Sequence, residues 1–571
     1  MKRILLSIVV LLVLLCGIAA AEGKSIVAKG YCGKNGSNVT WTLDSAGTLK
    51  IKGEGMMQDY TWSGYVPWYS NRESIKTAVI EAGVTSIGNG AFAGCSSLSS
   101  ITLPAGVTSI GNQAFGGCSS LSSITIPEGV TSISYDAFEA CNSLKKVYVD
   151  SLEGWLNIAF SDYYSNPLWN AGELYIAGEL ATDLVLPEGV TSIGEYAFSG
   201  CSSLSGIMIP DGVTSIGNGT FQYCSSLSSI ILPDGVTGIG NYAFEGCSSL
   251  RSITLPDGVT SIGNWTLSGC SSLSSITIPE GVTSIGKYAF SGCSSLSSIT
   301  IPEGVTSIGN SAFRGCSSLS SIMLPAGVTS IGEEAFYNCS SLGSITIPDG
   351  VTSIGGSTFR DCSSLSSITI PETVNTIESS AFSSCPELKQ FNVVEGSYAY
   401  RWLIVNGYLG DYVAMGACGN NEMNLIWTLD SEGTLTIKGE GEMEDYYYHD
   451  NAPWYSNRES IKTAVIEAGV ISIGSSAFYG CSSLSSITIP EGVTSIGGET
   501  FSGCSSLSSI TLPDGVTSIG GLAFYGCSSL SSITLPDGVI SIGGSAFRDC
   551  SSLSSITLPE GVTSKIGRAH V

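Results

Sequence analysis

The stretch Cys95–Phe115, CSSLSSITLPAGVTSIGNQAF, decides the fold, because close copies of it recur along almost the whole chain. Cys95, Cys118 and Cys141 are 23 residues apart, and the same spacing links the nine cysteines from Cys201 to Cys385 and the four from Cys481 to Cys550. A repeat of 20–29 residues with an L-x-x-I-x-L core predicts a leucine-rich solenoid. Within one unit, Ile101 and Leu103 alternate with Ser100 and Thr102, the pattern of a short strand with one buried face. Pro104 fixes φ and opens a turn, and Gly106 is read as closing it in the fourth position. Val107 and Ile110 point back inside. Around Ala114, Phe115 and Cys118 the expectation is a short helical, 3₁₀ or irregular segment on the convex side, opposite a parallel β-sheet on the concave side. One unit is too small to offset the entropy of ordering its own backbone, so the units must stack.

The rest of the chain is organised around this repeat. Gly30 to Phe92 recurs as Gly416 to Phe478, and Pro67–Val84 reappears unchanged as Pro453–Val470. Each copy carries Trp-Thr-Leu-Asp, a Gly and Thr-Leu-x-Ile-Lys-Gly, read as a hairpin leading into an aromatic cap with Tyr60, Trp68 and Tyr69 or Tyr446, Trp454 and Tyr455. The cap is expected to be spliced onto the first solenoid strand, with Ala78 and Ile80 aligned to Ile101 and Leu103. The predicted order is a signal peptide over 1–21, a β-rich cap over 22–74 and a first array over 75–410. An insertion at about 150–183 is read as a short amphipathic helix through Leu152, Trp155, Leu156 and Phe160, with a turn at Asn166-Pro167-Leu168. Residues Phe391 to Tyr408 lose the pattern and close the first array; a second cap over 411–460 and a second array over 461–564, cut off after four cysteine units, follow.

Both ends bear on location. Lys2 and Arg3, an apolar run from Ile4 and Ala19-Ala20-Ala21 read as a secretory signal in preference to an uncleaved anchor, and Leu15 before Cys16 argues against lipidation. No other run of about 18 apolar residues exists, so no membrane span is expected in the mature chain. Lys565-Ile566-Gly567-Arg568-Ala569-His570-Val571 breaks the repeat in mid-phrase and resembles the translation of a common short-read sequencing adapter, which makes Ser564 the expected last genuine residue.

CSSLSSITLPDGVTSIGGLAF from Cys504, the WTLD…GTLTIKGEG…PWY module and the WLNIAF…NPLW insertion together resemble the BspA-like leucine-rich repeat proteins of bacterial surfaces. That resemblance implies an extracellular adhesive role toward host matrix proteins, mucosal cells or other microbes. The alternative is a glycan-binding or scaffold region of a larger secreted protein. The chain has no identifiable wall-sorting signal or stalk.

Composition narrows the chemistry. The 571 residues carry 48 acidic and 23 basic side chains, a net charge of −25 that would repel nucleic acid. Only His449 and His570 are available to a Ser-His-Asp or Cys-His system, and the S-x-x-K at Ser143 and Lys146 lacks its companion motifs. No phosphate loop, H-E-x-x-H or calcium loop is present, so no enzyme, cofactor or metal is expected. Sixteen of the 19 cysteines form a column read as buried thiols in preference to disulfides. An acidic residue follows the repeat proline at Glu128, Glu188, Asp211, Asp234, Asp257, Glu280, Glu303, Asp349, Glu372, Glu491, Asp514, Asp537 and Glu560, a solvated stripe that divalent cations could bridge. The concave face is mostly Ser and Thr. At the Thr102-equivalent position Tyr148, Val185, Met208 and Ile231 succeed one another, with Met323 as a later singleton, and form the candidate binding patch. Long-read sequencing of the gene is expected to run past the Ser564 codon in repeat phase; a stop directly after the Val571 codon would overturn the adapter reading.

Overall fold

A computed structural model describes residues 24–60, 66–410, 412–420, 423–446 and 452–563. The expected signal peptide over 1–21, His449 and Lys565–Val571 lie outside the described residues. Two compact units are present, one running to Ile368 and including Glu378–Gln390, the other made of Thr369–Ile377 and the chain from Phe391 onward.

Most 23-residue layers contribute two short parallel strands, reduced to single bridges at Ile262 and Thr277. Ser298–Thr300 pairs in register with Ser321–Met323, and Ser307–Ile308 pairs with Ser330–Ile331. The Ser-Ile-Thr strand is the one its alternation predicts, with Ile299 buried and Ser298 and Thr300 exposed. The Ser-Ile strand goes unread in the sequence, since two residues carry no period. The turn between them is also one residue later than expected. Val107 N–H donates to the Pro104 carbonyl at 3.1 Å, so Pro104 stands first in the turn and Val107, not Gly106, closes it.

The largest difference lies on the turn face. The segment through Phe115 and Cys118 forms consecutive hydrogen-bonded turns and is neither α nor 3₁₀ helix. Its donors alternate between two destinations. Ala312, Arg314 and Cys316 N–H donate to Gly309, Ser311 and Phe313 of the same layer, while Ser311, Phe313 and Gly315 N–H donate to Glu333, Ala335 and Tyr337 of the next. A helix would send every donor back along its own chain. The alternation is made possible by two left-handed residues per layer, here Ser311 (φ 55°) and Gly315 (φ 70°). The second of these explains the glycine that usually precedes the cysteine.

These bonds stack identical side chains. Phe290, Phe313, Phe336, Phe359 and Phe382 lie with ring centroids 5.4 to 5.8 Å apart and planes within 6° of parallel. In the second array Phe478, Phe501, Phe524 and Phe547 repeat the arrangement at 5.3 to 5.4 Å. Beside the rings, most repeat thiols donate to the phenylalanine carbonyl of the preceding layer, as Cys316 does to Phe290 and Cys339 to Phe313, both at 3.1 Å, and Cys293 donates to Leu267, which stands in the phenylalanine position. The 18 described cysteines are unpaired, and all but the half-buried Cys385 are buried.

Each cap starts such a stack. Gly36–Asp44 pairs antiparallel with Thr48–Gly53, which pairs in parallel with Thr77–Ile80, placing Leu49 beside Ala78 and Ile51 beside Ile80. Trp68 occupies the place of a first phenylalanine, 6.0 Å from Phe92, and its Nε1–H donates to the Ala91 carbonyl at 3.0 Å. Trp454 repeats this against Phe478 and Ala477. Tyr60 is buried as a cap residue should be, whereas Tyr69 is exposed.

The insertion is a longer layer. Ser132–Ile133 pairs with Ala159–Phe160 and Lys146–Val149 with Glu173–Ile176, each 27 residues on. The expected helix spans Leu152–Leu156 and buries Trp155, whose Nε1–H reaches the Ala197 carbonyl at 2.9 Å. Asn166-Pro167 opens a second helix, Leu168–Ala171, in which Asn170 Nδ2 donates to the Phe138 carbonyl at 2.8 Å, the bond a cysteine makes elsewhere. In the second unit Tyr398–Val405 is a helix capped by Ser397 that buries Trp402, Leu403 and Ile404.

The thiol column makes stability sensitive to alkali. Burial pushes the thiols of Cys95, Cys141, Cys481 and Cys527 up to about 12 from an ordinary value near 9. Above pH 9 the unfolded chain releases protons that the folded chain keeps, so stability is intact below that pH and falls as pH rises toward 12. Each such thiol costs about 1.4 kcal/mol per pH unit in this window. Urea unfolding midpoints are expected to hold to about pH 8.5 and to drop steeply by about pH 10.5; a flat profile over that range would contradict the buried-thiol column.

Candidate binding surfaces

Two faces of the solenoid offer side chains to a partner: the strand face and the turn face. The strand face is built from the outward positions of the Ser-Ile-Thr strands, exposed in layer after layer. Many of the hydroxyls around it serve the fold. Ser294 and Ser317 donate to the carbonyls of Ser271 and Ser294, Ser297 and Ser320 to those of Ser274 and Ser297, and Thr306 and Thr329 to those of Thr283 and Thr306, at 3.3 to 3.5 Å. Three columns of hydroxyls therefore tie each layer to the one before it. The sequence shows the columns but not that their protons point along the stack.

Of the candidate patch, three members lie side by side. Val185 is paired with Met208, and Met208 with Ile231, and their side chains are 68%, 66% and 78% exposed. Tyr148 stands in a different sheet, in register with Tyr175, their rings 4.9 Å apart. Lys146 Nζ lies 5.2 Å from the centroid of Tyr175, which gives the lysine of the S-x-x-K motif an aromatic neighbour. Tyr175 escapes sequence reading because the longer layer shifts its position by four residues against the regular count. Met323, 81% exposed, stands between Thr300 and the following layer.

The turn face carries aromatic residues that the repeat does not announce. Tyr242, Trp265 and Tyr288 occupy the first left-handed position of successive layers, with φ of 61°, 59° and 56°. Their rings stack, Tyr242 on Trp265 at 6.2 Å and Trp265 on Tyr288 at 3.9 Å. Such φ values are unfavourable for bulky residues, and the inter-layer bonds hold them there. The available signal is an aromatic recurring two residues before the phenylalanine position, which is Phe244, Leu267 and Phe290 in these layers. Nearer the insertion, Tyr163, Tyr164 and Trp169 cluster, and Trp169 meets Tyr223 edge-on at 5.1 Å. Behind them Asp162 accepts from the N–H groups of Ser165 and Asp136, and partial burial holds its carboxyl above the usual range, reinforced by the nearby charge of Asp136.

The acidic residues after the repeat prolines are exposed along the first array, as at Asp211, Glu280 and Glu303. Among the described residues no three His, Cys, Asp or Glu side chains converge on a point where they could hold a metal ion. No helix of the described residues is long and apolar enough to cross a membrane.

A stack of two-strand layers with a column of buried leucines, started by an antiparallel hairpin, defines a leucine-rich repeat solenoid. Residues 68–165, 177–297, 283–399 and 451–569 match the BspA type leucine rich repeat region, and the chain belongs to that family. Among solved structures it is similar to a leucine rich cell surface protein from Faecalibacterium prausnitzii A2-165, at 27% identity over 64% of this chain and 94% of that one, TM-score 0.39. It is also similar to leucine-rich repeat proteins from Eubacterium ventriosum ATCC 27560 (25% identity, 55% and 95% covered, TM-score 0.41) and Bacteroides ovatus ATCC 8483 (25%, 92% and 94%, TM-score 0.32). No curated protein matches the chain significantly.

Proposed function

We propose that the protein is a secreted, surface-exposed adhesin that binds other proteins across its strand face, with Val185, Met208 and Ile231 at the centre of the contact and Tyr148 with Tyr175 at its flank. The observation that carries this reading is the in-register apolar row itself, three large side chains at least two-thirds exposed on a face otherwise made of Ser and Thr. Exposed apolar groups rimmed by polar ones mark interaction sites, because burying them against a partner removes apolar surface from water at little cost in side-chain ordering. Family membership and the leader-like Met1–Ala21 support export and surface display. Partners are then host matrix proteins, mucosal surfaces or other microbial cells, and repeated layers add multiplicity to weak contacts. No catalytic role is assigned.

The test is binding of the full chain to immobilised extracellular-matrix proteins and mucin. The double variant Met208→Thr/Ile231→Thr is expected to weaken binding by about tenfold. Its melting temperature should be unchanged, because both side chains are exposed and Thr is the residue most layers carry there. Unchanged binding would remove the row from the interface, and absence of binding to every surface would overturn the adhesin reading.

A further inference from the structure

A cleft of about 850 Å³ opens on the turn face where the first cap meets the first three layers. Gly94 and Gly117 line it at the left-handed position with φ of 70° and 74°, so neither adds a side chain to the cleft. Tyr69 stands on the cap side, 44% exposed, and Tyr135 on the far side, 58% exposed. Between and beside them come the amides of Asn89, Asn112 and Gln113 and the carboxylates of Asp136 and Glu139.

The charges on these walls restrict the ligand. Arg72 lies over the Tyr69 ring at 4.1 Å, and its guanidinium donates to the Tyr69 carbonyl at 2.9 Å and to the Glu73 carboxylate at 3.1 Å. Its charge is thus already matched, and Asp136 and Glu139 would repel an anion. A hydrocarbon ligand would strip water from the carboxylates of Asp136 and Glu139 without replacing it. What suits exposed tyrosine rings alternating with amides and carboxylates is a ring that is apolar on its C–H faces and rich in hydroxyls at its rim, since amides both donate and accept and carboxylates accept. The volume falls within the roughly 300–1,000 Å³ of small-ligand sites.

The duplicated cap supplies an internal comparison. Pro67–Val84, including Tyr69 and Arg72, recurs unchanged as Pro453–Val470, yet the residues that complete the cleft do not recur. Asn112 and Tyr135 become Gly498 and Gly521, Asp136 becomes Leu522, and Ala93 in the wall becomes the bulky Tyr479. At the remaining positions Asn89 becomes Ser475, Gln113 becomes Glu499 and Glu139 becomes Tyr525, so the second copy has none of the three amides, carries its carboxylate and its ring at other places, and gains a side chain at the position of Ala93.

We infer that the cleft formed by Tyr69, Asn112, Gln113, Tyr135 and Glu139 binds a short neutral oligosaccharide, at a site separate from the strand-face row. The test is calorimetric titration of the full chain with maltotetraose, cellotetraose and N-acetylchitotetraose, and with a hyaluronan tetrasaccharide as the anionic probe. At least one neutral sugar is expected to bind with a Kd of about 1 mM or tighter, and hyaluronan not to bind. Ala93→Tyr, which copies Tyr479, and Tyr135→Ala should each raise that Kd by about tenfold or more without lowering the melting temperature, while Met208→Thr/Ile231→Thr should leave it unchanged. Failure of all three neutral sugars to bind, equal binding of hyaluronan, or wild-type affinity in both cleft variants would overturn the inference, and none of these outcomes bears on the strand-face row.

Discussion

Every layer of this protein completes its hydrogen bonding in the next. On the turn face half of the N–H groups leave their own layer, as at Ser311, Phe313 and Gly315, and on the strand face the ladders pair residues 23 apart. A chain bonded this way cannot vary its layer length freely, since an added residue would offset every donor from its acceptor. Rings, thiols and hydroxyls stack as columns because the backbone has already fixed their register. The phenylalanine carbonyl shows the economy of the arrangement: that of Phe290 accepts the N–H of Cys293 in its own layer and the thiol of Cys316 in the following one.

The 27-residue layer shows what that constraint permits. Four more residues are accommodated only because both strands shift together, so that Ile133 still meets Phe160 and Val147 still meets Leu174. The lost thiol bond is replaced by Asn170, and Trp155 is buried against Phe160 with its Nε1–H on the Ala197 carbonyl. Departures from the repeat are thus tolerated where they can rebuild the same bonds, and they bring new surface with them, including Tyr175 and the cluster of Tyr163, Tyr164 and Trp169.

Legibility followed the same division. The alternation around Ile101, the cysteine column and the splice of Thr48–Gly53 onto Thr77–Ile80 could be read because each depends on residues close in sequence or on a fixed count. The helical expectation around Phe115 came from reading one layer alone, and the split of its donors between layers is invisible there. The placing of Pro104 missed by one residue because proline is acceptable at more than one turn position. At the candidate row, Val185, Met208 and Ile231 were legible from the count of 23, whereas Tyr148 was assigned to the same row only because the count passed over Tyr175. The cleft beside the cap joins side chains from Tyr69 to Glu139 and belongs to no single repeat.

The thiol column carries a consequence for how the molecule is made. Among the described residues eighteen cysteines sit unpaired, all but Cys385 buried, and most of the repeat thiols also meet a carbonyl of the layer before. Before the layers close, those same groups are a dense set of equivalent oxidation targets, any two of which could cross-link out of register and trap the chain. In any oxidising compartment, folding would therefore be a race between stacking and oxidation. Trp68 and the hairpin that presents it give the first array a surface to grow from at its amino-terminal end, and Trp454 gives the second array its own start, so each array can seal its cysteines progressively as the chain is completed.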